Sequence, residues 1–166
     1  MNVWPLQKDC DAFYGNPRGI HNTYDVKWAD ANLTHVTCPW PLYMGKIAIP
    51  KITIHVKCAD SLTRVLGNIW DALAHDYTKI QALKYDQFSG SFNYRPMRGG
   101  SALSMHSYAV AIDWDDQDNL QHAKKHLFQD DSLLVVKFKE EGAVWGGDWG
   151  GSSIDSMHVQ FARVHP

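Results

Sequence analysis

No stretch of the 166-residue sequence stays apolar for the roughly 20 residues that a membrane-spanning helix needs. The opening residues, Met1 to Gly15, lack both a basic start and an apolar core, so they do not read as an export signal. The expectation is a chain that stays in the cytoplasm of the cell that makes it until something releases it. Charge of one sign is scarce: 16 basic and 18 acidic side chains give a formal net charge of −2, which offers no footprint for nucleic acid. Cysteine is scarce too. Cys10, Cys38 and Cys58 are an odd number with no C-x-x-C pair, so one disulfide with one free thiol and three reduced thiols both satisfy the count. Repeats, low-complexity tracts and linkers long enough to divide domains are missing. What is present, 45% hydrophobic and 20% charged residues, is an ordinary globular balance. A chain of this length suits one domain, residues 1–166, with one sizeable core, expected as a monomer. Seven tryptophans either fill that core or wall a cleft.

Residues 1–45, rich in Pro, Gly, Asn and aromatics, read as an irregular arm packed on a core of residues 46–166. Residues 47–57 alternate apolar and polar and predict a half-buried strand, with His55 on its polar side and incidental. Residues 60–76 predict a helix, capped by Asp60 or Ser61, whose stripe of Leu62, Val65, Leu66, Ile69, Trp70 and Leu73 is core. Short strands are expected at 88–95, 108–114 and 158–164, and helices at 119–128 and at 131–141, the latter ended by Gly142. Residues 146–153 are a glycine-rich loop without the G-K-[ST] ending of a phosphate loop. Helices and strands mix without a βαβ rhythm, so the expected class is α+β.

Two segments carry chemistry: Ser104-Met-His106 leading to Asp113, and Asp155-Ser-Met-His158. Two imidazoles and one carboxylate make a three-ligand zinc site that leaves a position for water, whose pKa the metal lowers to about 7. The odd spacing of His106 and Asp113 would put them on opposite faces of one strand, so His106 must belong to a loop or bulge. Asp113 would share its face with the small residues Ala109 and Ala111. Asp155, three residues before His158, stands where a general base is needed. Arg95 precedes the Pro96–Gly100 loop and can polarise a carbonyl or bind a carboxylate. Ser104 suits a hydrogen bond that orients a ligand. Each residue alone has a plainer role: a satisfied histidine, a turn acid, a surface ion pair. His122 and His126, four apart in HAKKH, are half a metal site without a third ligand and read as surface.

The run S-M-H-S-Y-A-V-A-I-D (104–113) resembles the S-x-H-x-x-G-x-A-x-D motif of the M15 metallopeptidases, which include D-alanyl-D-alanine carboxypeptidases and phage endolysins cutting L-alanyl-D-glutamate bonds. The tail W-G-G-D-W-x5-D-x-x-H-V-Q-F (145–161) resembles their second motif, and Tyr94-Arg95 resembles the Y-R that precedes the first. The resemblance spans about residues 47–164. It implies one Zn²⁺ per chain on His106, Asp113 and His158, Asp155 as base, Arg95 as carbonyl or carboxylate partner, and Ser104, Trp149 and Tyr94 around them. It implies the small hedgehog/D,D-peptidase type of fold, built on a central antiparallel sheet with flanking helices. It also implies peptidoglycan stem peptide as partner, and bacteriolytic cell-wall degradation as outcome. With no export signal the chain looks like an endolysin that a holin releases, which favours the L-alanyl-D-glutamate bond. A D-alanyl-D-alanine carboxypeptidase and a non-catalytic, zinc-stabilised wall-binding module are the alternatives. One departure stands out. The motif's glycine is Ala109 here, whose methyl either narrows the cleft or is absorbed by a small backbone shift.

Overall fold

The computed structural model describes residues 3–97, 99–121, 123 and 125–165. The chain runs α1 (Cys10–Tyr14), α2 (Val26–Asn32), β1 (Leu33–Val36), β2 (Leu42–Met44), β3 (Ile47–Ile49), β4 (Ile52–His55), α3 (Val56–Ala72), α4 (Tyr77–Ala82), β5 (Phe88–Gly90), β6 (Ala111–Trp114), α5 (Leu133–Glu140), β7 (Val144–Trp145) and β8 (His158–Gln160). A four-stranded sheet in the order β5-β6-β8-β7 is antiparallel throughout, and two two-stranded ribbons, β1-β4 and β2-β3, complete an α+β domain. No helix among the described residues is long and apolar enough to cross a membrane.

The strand expected over 47–57 is split in two. Pro50 has no N–H for a ladder, so β3 pairs with β2 while β4 pairs with β1. Val56 and Lys57 belong to α3, because the His55 side chain caps that helix: its Nδ1 accepts the Lys57 N–H at 3.1 Å. His55 is therefore neither incidental nor on a polar face; it is fully buried, and its Nε2 lies 3.0 Å from the Tyr14 carbonyl. The capping expected of Asp60 or Ser61 is corrected accordingly. Helix α3 buries Leu62, Val65, Leu66 and Ile69 of the expected stripe, with Cys58 and Ser61 beside them, while Trp70 and Leu73 are half-buried against the core. It stops at Ala72, short of 76, since Ala74 and His75 turn to positive φ and Asp76 caps α4 by accepting the Thr78 N–H at 2.9 Å.

Residues 10–36, expected to be irregular, carry two helices and a strand, and Trp4, Cys10, Tyr14 and Trp28 are buried. The strand at 88–95 is shorter, pairing with β6 at Phe88 and Gly90, between which the register shifts. The helix at 119–128 is absent among the described residues. Instead Asn119 stitches a loop closed, accepting the Phe128 N–H at 2.6 Å and donating to Asp115 at 3.0 Å. His122 of the HAKKH run lies outside the described residues. The helix at 131–141 forms as α5, with Gly142 at φ 81 beyond its end. The closing strand ends at Gln160; Arg163 turns to pair with Leu6 of the N-terminal segment. All three cysteines are free, and burial pushes the thiols of Cys10 and Cys58 up to about 12, so they stay unreactive packing residues.

Candidate metal centre

His106 sits on a short 3-10 turn, Met105–Tyr108, and not on the strand. Ser104 caps that turn, its hydroxyl accepting the His106 N–H at 3.4 Å, so its observed contact is with the ligand-bearing backbone. The turn ends at Ala109, in the left-handed region at φ 54, ψ 41. Here lies the physical reason for a glycine in the motif: the position needs a conformation that costs a residue with Cβ about 1 kcal/mol or more. Ala109 precedes the strand and does not share the Asp113 face, contrary to the even-spacing expectation; it is fully buried and its carbonyl accepts the His55 N–H at 2.8 Å.

Asp113 on β6 lies directly opposite His158 on β8. Opposed residues of an antiparallel pair project from the same face, so the sheet itself brings carboxylate and imidazole together. Asp113 Oδ1 is 2.9 Å from His158 Nδ1, and Asp113 Oδ2 is 3.2 Å from His106 Nε2. The ligating atoms of His106, Asp113 and His158 lie within 4.8 Å of one another, the one such group of His, Cys, Asp or Glu among the described residues. His106 and His158 are buried, and their rings meet edge to face with centroids 5.0 Å apart.

Each histidine is held by its outer nitrogen. His106 Nδ1 is 2.7 Å from the Ser91 carbonyl, and His158 Nε2 is 3.0 Å from Gln160 Oε1. A carbonyl only accepts, so Nδ1 of His106 carries hydrogen and its Nε2 keeps a lone pair in the neutral ring. That Nε2 is buried and, despite its 3.2 Å approach to Asp113, has no hydrogen-bond partner in proper geometry among the described residues. A buried nitrogen aimed at a carboxylate and a second imidazole, with no bond of its own, fits a cation better than it fits a packed core. The electrostatics agree. Burial alone would raise the Asp113 pKa, but the His106 and His158 imidazoles beside it outweigh that and hold the carboxyl well below its usual range. Burial would lower the His158 pKa, yet Asp113 and then Asp155 raise it.

Asp155 is buried in the turn before β8, donates its N–H to the Gly146 carbonyl at 3.0 Å and accepts the His158 N–H at 3.1 Å. The tight approach requires glycine, because a Cβ on Gly146 would stand 2.3 Å from the Asp155 carbonyl oxygen. A Cβ on Gly147 would meet the Trp145 ring at 2.2 Å. The loop is tied down by Lys139, which bonds Asp130 and, at 2.8 Å, Asp148. Trp149 ends it, its ring 5.3 Å from that of His158 and its buried Nε1 without a hydrogen-bond partner among the described residues.

Arg95 is tied to the same turn by its backbone: its N–H donates to Ser107 Oγ at 2.9 Å and its carbonyl accepts the Ser104 N–H at 3.0 Å. Among the described residues the guanidinium reaches only the Pro96 carbonyl, at 3.4 Å, and it lines an open cavity of about 1040 Å³ with Asn93, Met97 and Ser101. Tyr94 turns the other way, its ring 6.4 Å from that of Tyr24. So the fold gathers His106, Asp113, His158, Asp155 and Trp149, sets Arg95 on the adjoining rim, and uses Tyr94 for packing. Sequence reasoning passed over Ser91 and Gln160. The second had a signal, since residues i and i+2 on a strand share a face; the first acts through a backbone carbonyl and has none.

A family model described as D-alanyl-D-alanine carboxypeptidase, one of the M15 peptidase models, matches residues 98–161, which include Ser104, His106, Asp113, Asp155 and His158 but not Tyr94 or Arg95. Neither the curated proteins nor the solved structures give a significant match. The segment that builds this centre, residues 98–161, is thus similar to the M15 peptidase family.

Proposed function

We propose that the chain is a zinc-dependent peptidase that hydrolyses a peptide bond in the stem peptide of peptidoglycan. His106, Asp113 and His158 hold one zinc ion. The observation that carries this reading is the inward convergence of three ligating atoms within 4.8 Å while the outer nitrogens of both histidines are occupied by carbonyl acceptors. Zinc at such a site acts as a Lewis acid and makes water nucleophilic at neutral pH.

The protein's own groups do the rest. Asp155 takes a proton at its carboxylate from the attacking water and returns it to the leaving amine, a task for which general bases contribute about 10²–10⁴-fold. The Arg95 guanidinium, on the rim of the open cavity, holds a substrate carbonyl or carboxylate. Trp149 walls the cleft and offers a buried N–H beside His158.

The preferred bond is L-alanyl-D-glutamate, inside the stem peptide, because the motifs at 104–113 and 145–161 resemble those of peptidases that include endolysins cutting this bond. The description of the matching family favours the terminal D-alanyl-D-alanine bond as the second reading. Mass spectrometry of muropeptides separates them. An endopeptidase frees a new amino terminus on D-glutamate, whereas a carboxypeptidase releases single alanines. Either product must disappear with a zinc chelator. Zinc binding without any chelator-sensitive product from several wall types would instead assign a wall-binding module.

A further inference from the structure

We propose that Gln160 is a positioning residue that fixes the tautomer of His158 and thereby sets how tightly the centre holds its metal; this rests on the reading of His106, Asp113 and His158 as ligands. The Ala162 carbonyl lies 2.7 Å from one end of the Gln160 side-chain amide. A carbonyl oxygen can only accept, so that end is the NH₂ group and the other end is Oε1. Oε1 in turn can only accept, and it stands 3.0 Å from His158 Nε2. The hydrogen of the neutral ring is therefore on Nε2, and the lone pair is on Nδ1, the atom that faces Asp113 at 2.9 Å. The reversed amide would set oxygen against the Ala162 oxygen and NH₂ against the imidazole, losing one bond and demanding the tautomer that buries the lone pair away from Asp113.

Gln160 has no room to drift. It is 1% exposed, and its backbone is paired on both sides, with Ala111 of β6 and Val144 of β7. The Gln7 amide donates to the same Oε1 at 3.4 Å, so the N-terminal segment supports the acceptor from behind. Partners that hold the far nitrogen of a ligating histidine typically govern metal affinity by about 10–100-fold.

The experiment uses the whole chain. Zinc affinity is measured by competition with a coloured chelator for the wild type, Gln160→Met and Gln160→Glu, with thermal melting of the zinc-free proteins as a control for folding. Long-range ¹H–¹⁵N spectra of the wild-type histidines, in the zinc-loaded protein, report which nitrogen of His158 carries hydrogen. The expected results are hydrogen on Nε2, a 10–100-fold loss of affinity in Gln160→Met, and a smaller loss in Gln160→Glu, which keeps an acceptor. Equal affinity of wild type and Gln160→Met, or hydrogen on Nδ1 in the wild type, overturns the proposal. Should Gln160→Met fail to fold, the wild-type spectra and Gln160→Glu decide. Failure of the wild type itself to bind zinc would refute the metal reading instead, and none of these measurements depends on hydrolysis.

Discussion

Asp155 and Ala109 flank the centre from its two sequence segments. Asp155 bonds the loop and β8 through its backbone, at Gly146 and His158, which fixes the residue beside the centre. Asp155→Asn is expected to keep zinc at full stoichiometry and to slow hydrolysis by about 10²–10⁴-fold, read from paired zinc and muropeptide assays; an undiminished rate would remove Asp155 from the mechanism. The left-handed backbone of Ala109 opposes its Cβ, but glycine gains chain entropy in the unfolded state, by roughly 0.4–1 kcal/mol. The two effects nearly cancel, so Ala109→Gly should leave the urea midpoint within about 1 kcal/mol of the wild type. Ala109→Val adds β-branching and volume at a fully buried site and should cost about 2 kcal/mol or more. At this scale the sequence was most legible where side chains themselves come together, as with His106, Asp113 and His158. It was silent on the Ser91 carbonyl, because any residue supplies one.

Among the elements, α3 is the clearest case of a helix readable in its middle and not at its ends. Its stripe follows from apolar spacing, whereas its start depends on His55 folding back as a cap, which tertiary burial makes available. That burial has a pH consequence. Burial, which outweighs the contact with the Tyr14 carbonyl, lowers the His55 pKa to about 4. The unfolded chain takes up a proton near pH 6.5 and the folded chain only near 4, so the unfolded state binds more protons in between. Stability should therefore fall as pH drops through that window, by up to about 3 kcal/mol. Urea midpoints of the wild type minus those of His55→Asn, which keeps a capping group, isolate the slope; parallel curves would show that His55 does not titrate there. The loop at 119–128 was misread for a related reason: its apolar spacing suits a helix, but the Asn119 side chain bonds the backbone at Phe128 and closes a loop instead. The 3-10 turn at His106 was legible only as a constraint, through the odd spacing to Asp113.

Across the whole molecule the N-terminal segment is part of the framework of the centre. Asp11 accepts from Tyr108 at 2.6 Å, just beyond His106, and Tyr14 donates to the Phe161 carbonyl at 2.5 Å, just beyond β8. Composition made residues 1–45 look like an arm because their helices are short and their Pro and Gly content is high; the burial of Trp4, Cys10 and Tyr14 could not be read from that. A metal that binds only the folded chain stabilises it by about 4 kcal/mol at a thousand times its dissociation constant. For a chain of this size that is a rise of roughly 10 °C in melting temperature, which chelator should reverse in calorimetry. The pairing of Asp113 with His158 across β6 and β8 has one more consequence. A slip of a single residue between those strands would turn one ligand to the opposite face while leaving much of the apolar content usable elsewhere. If the centre takes zinc as proposed, metal uptake becomes a proofreading step: only molecules that have docked their two central strands in the right alignment could be loaded, and zinc per chain in a purified sample would count the correctly threaded fraction.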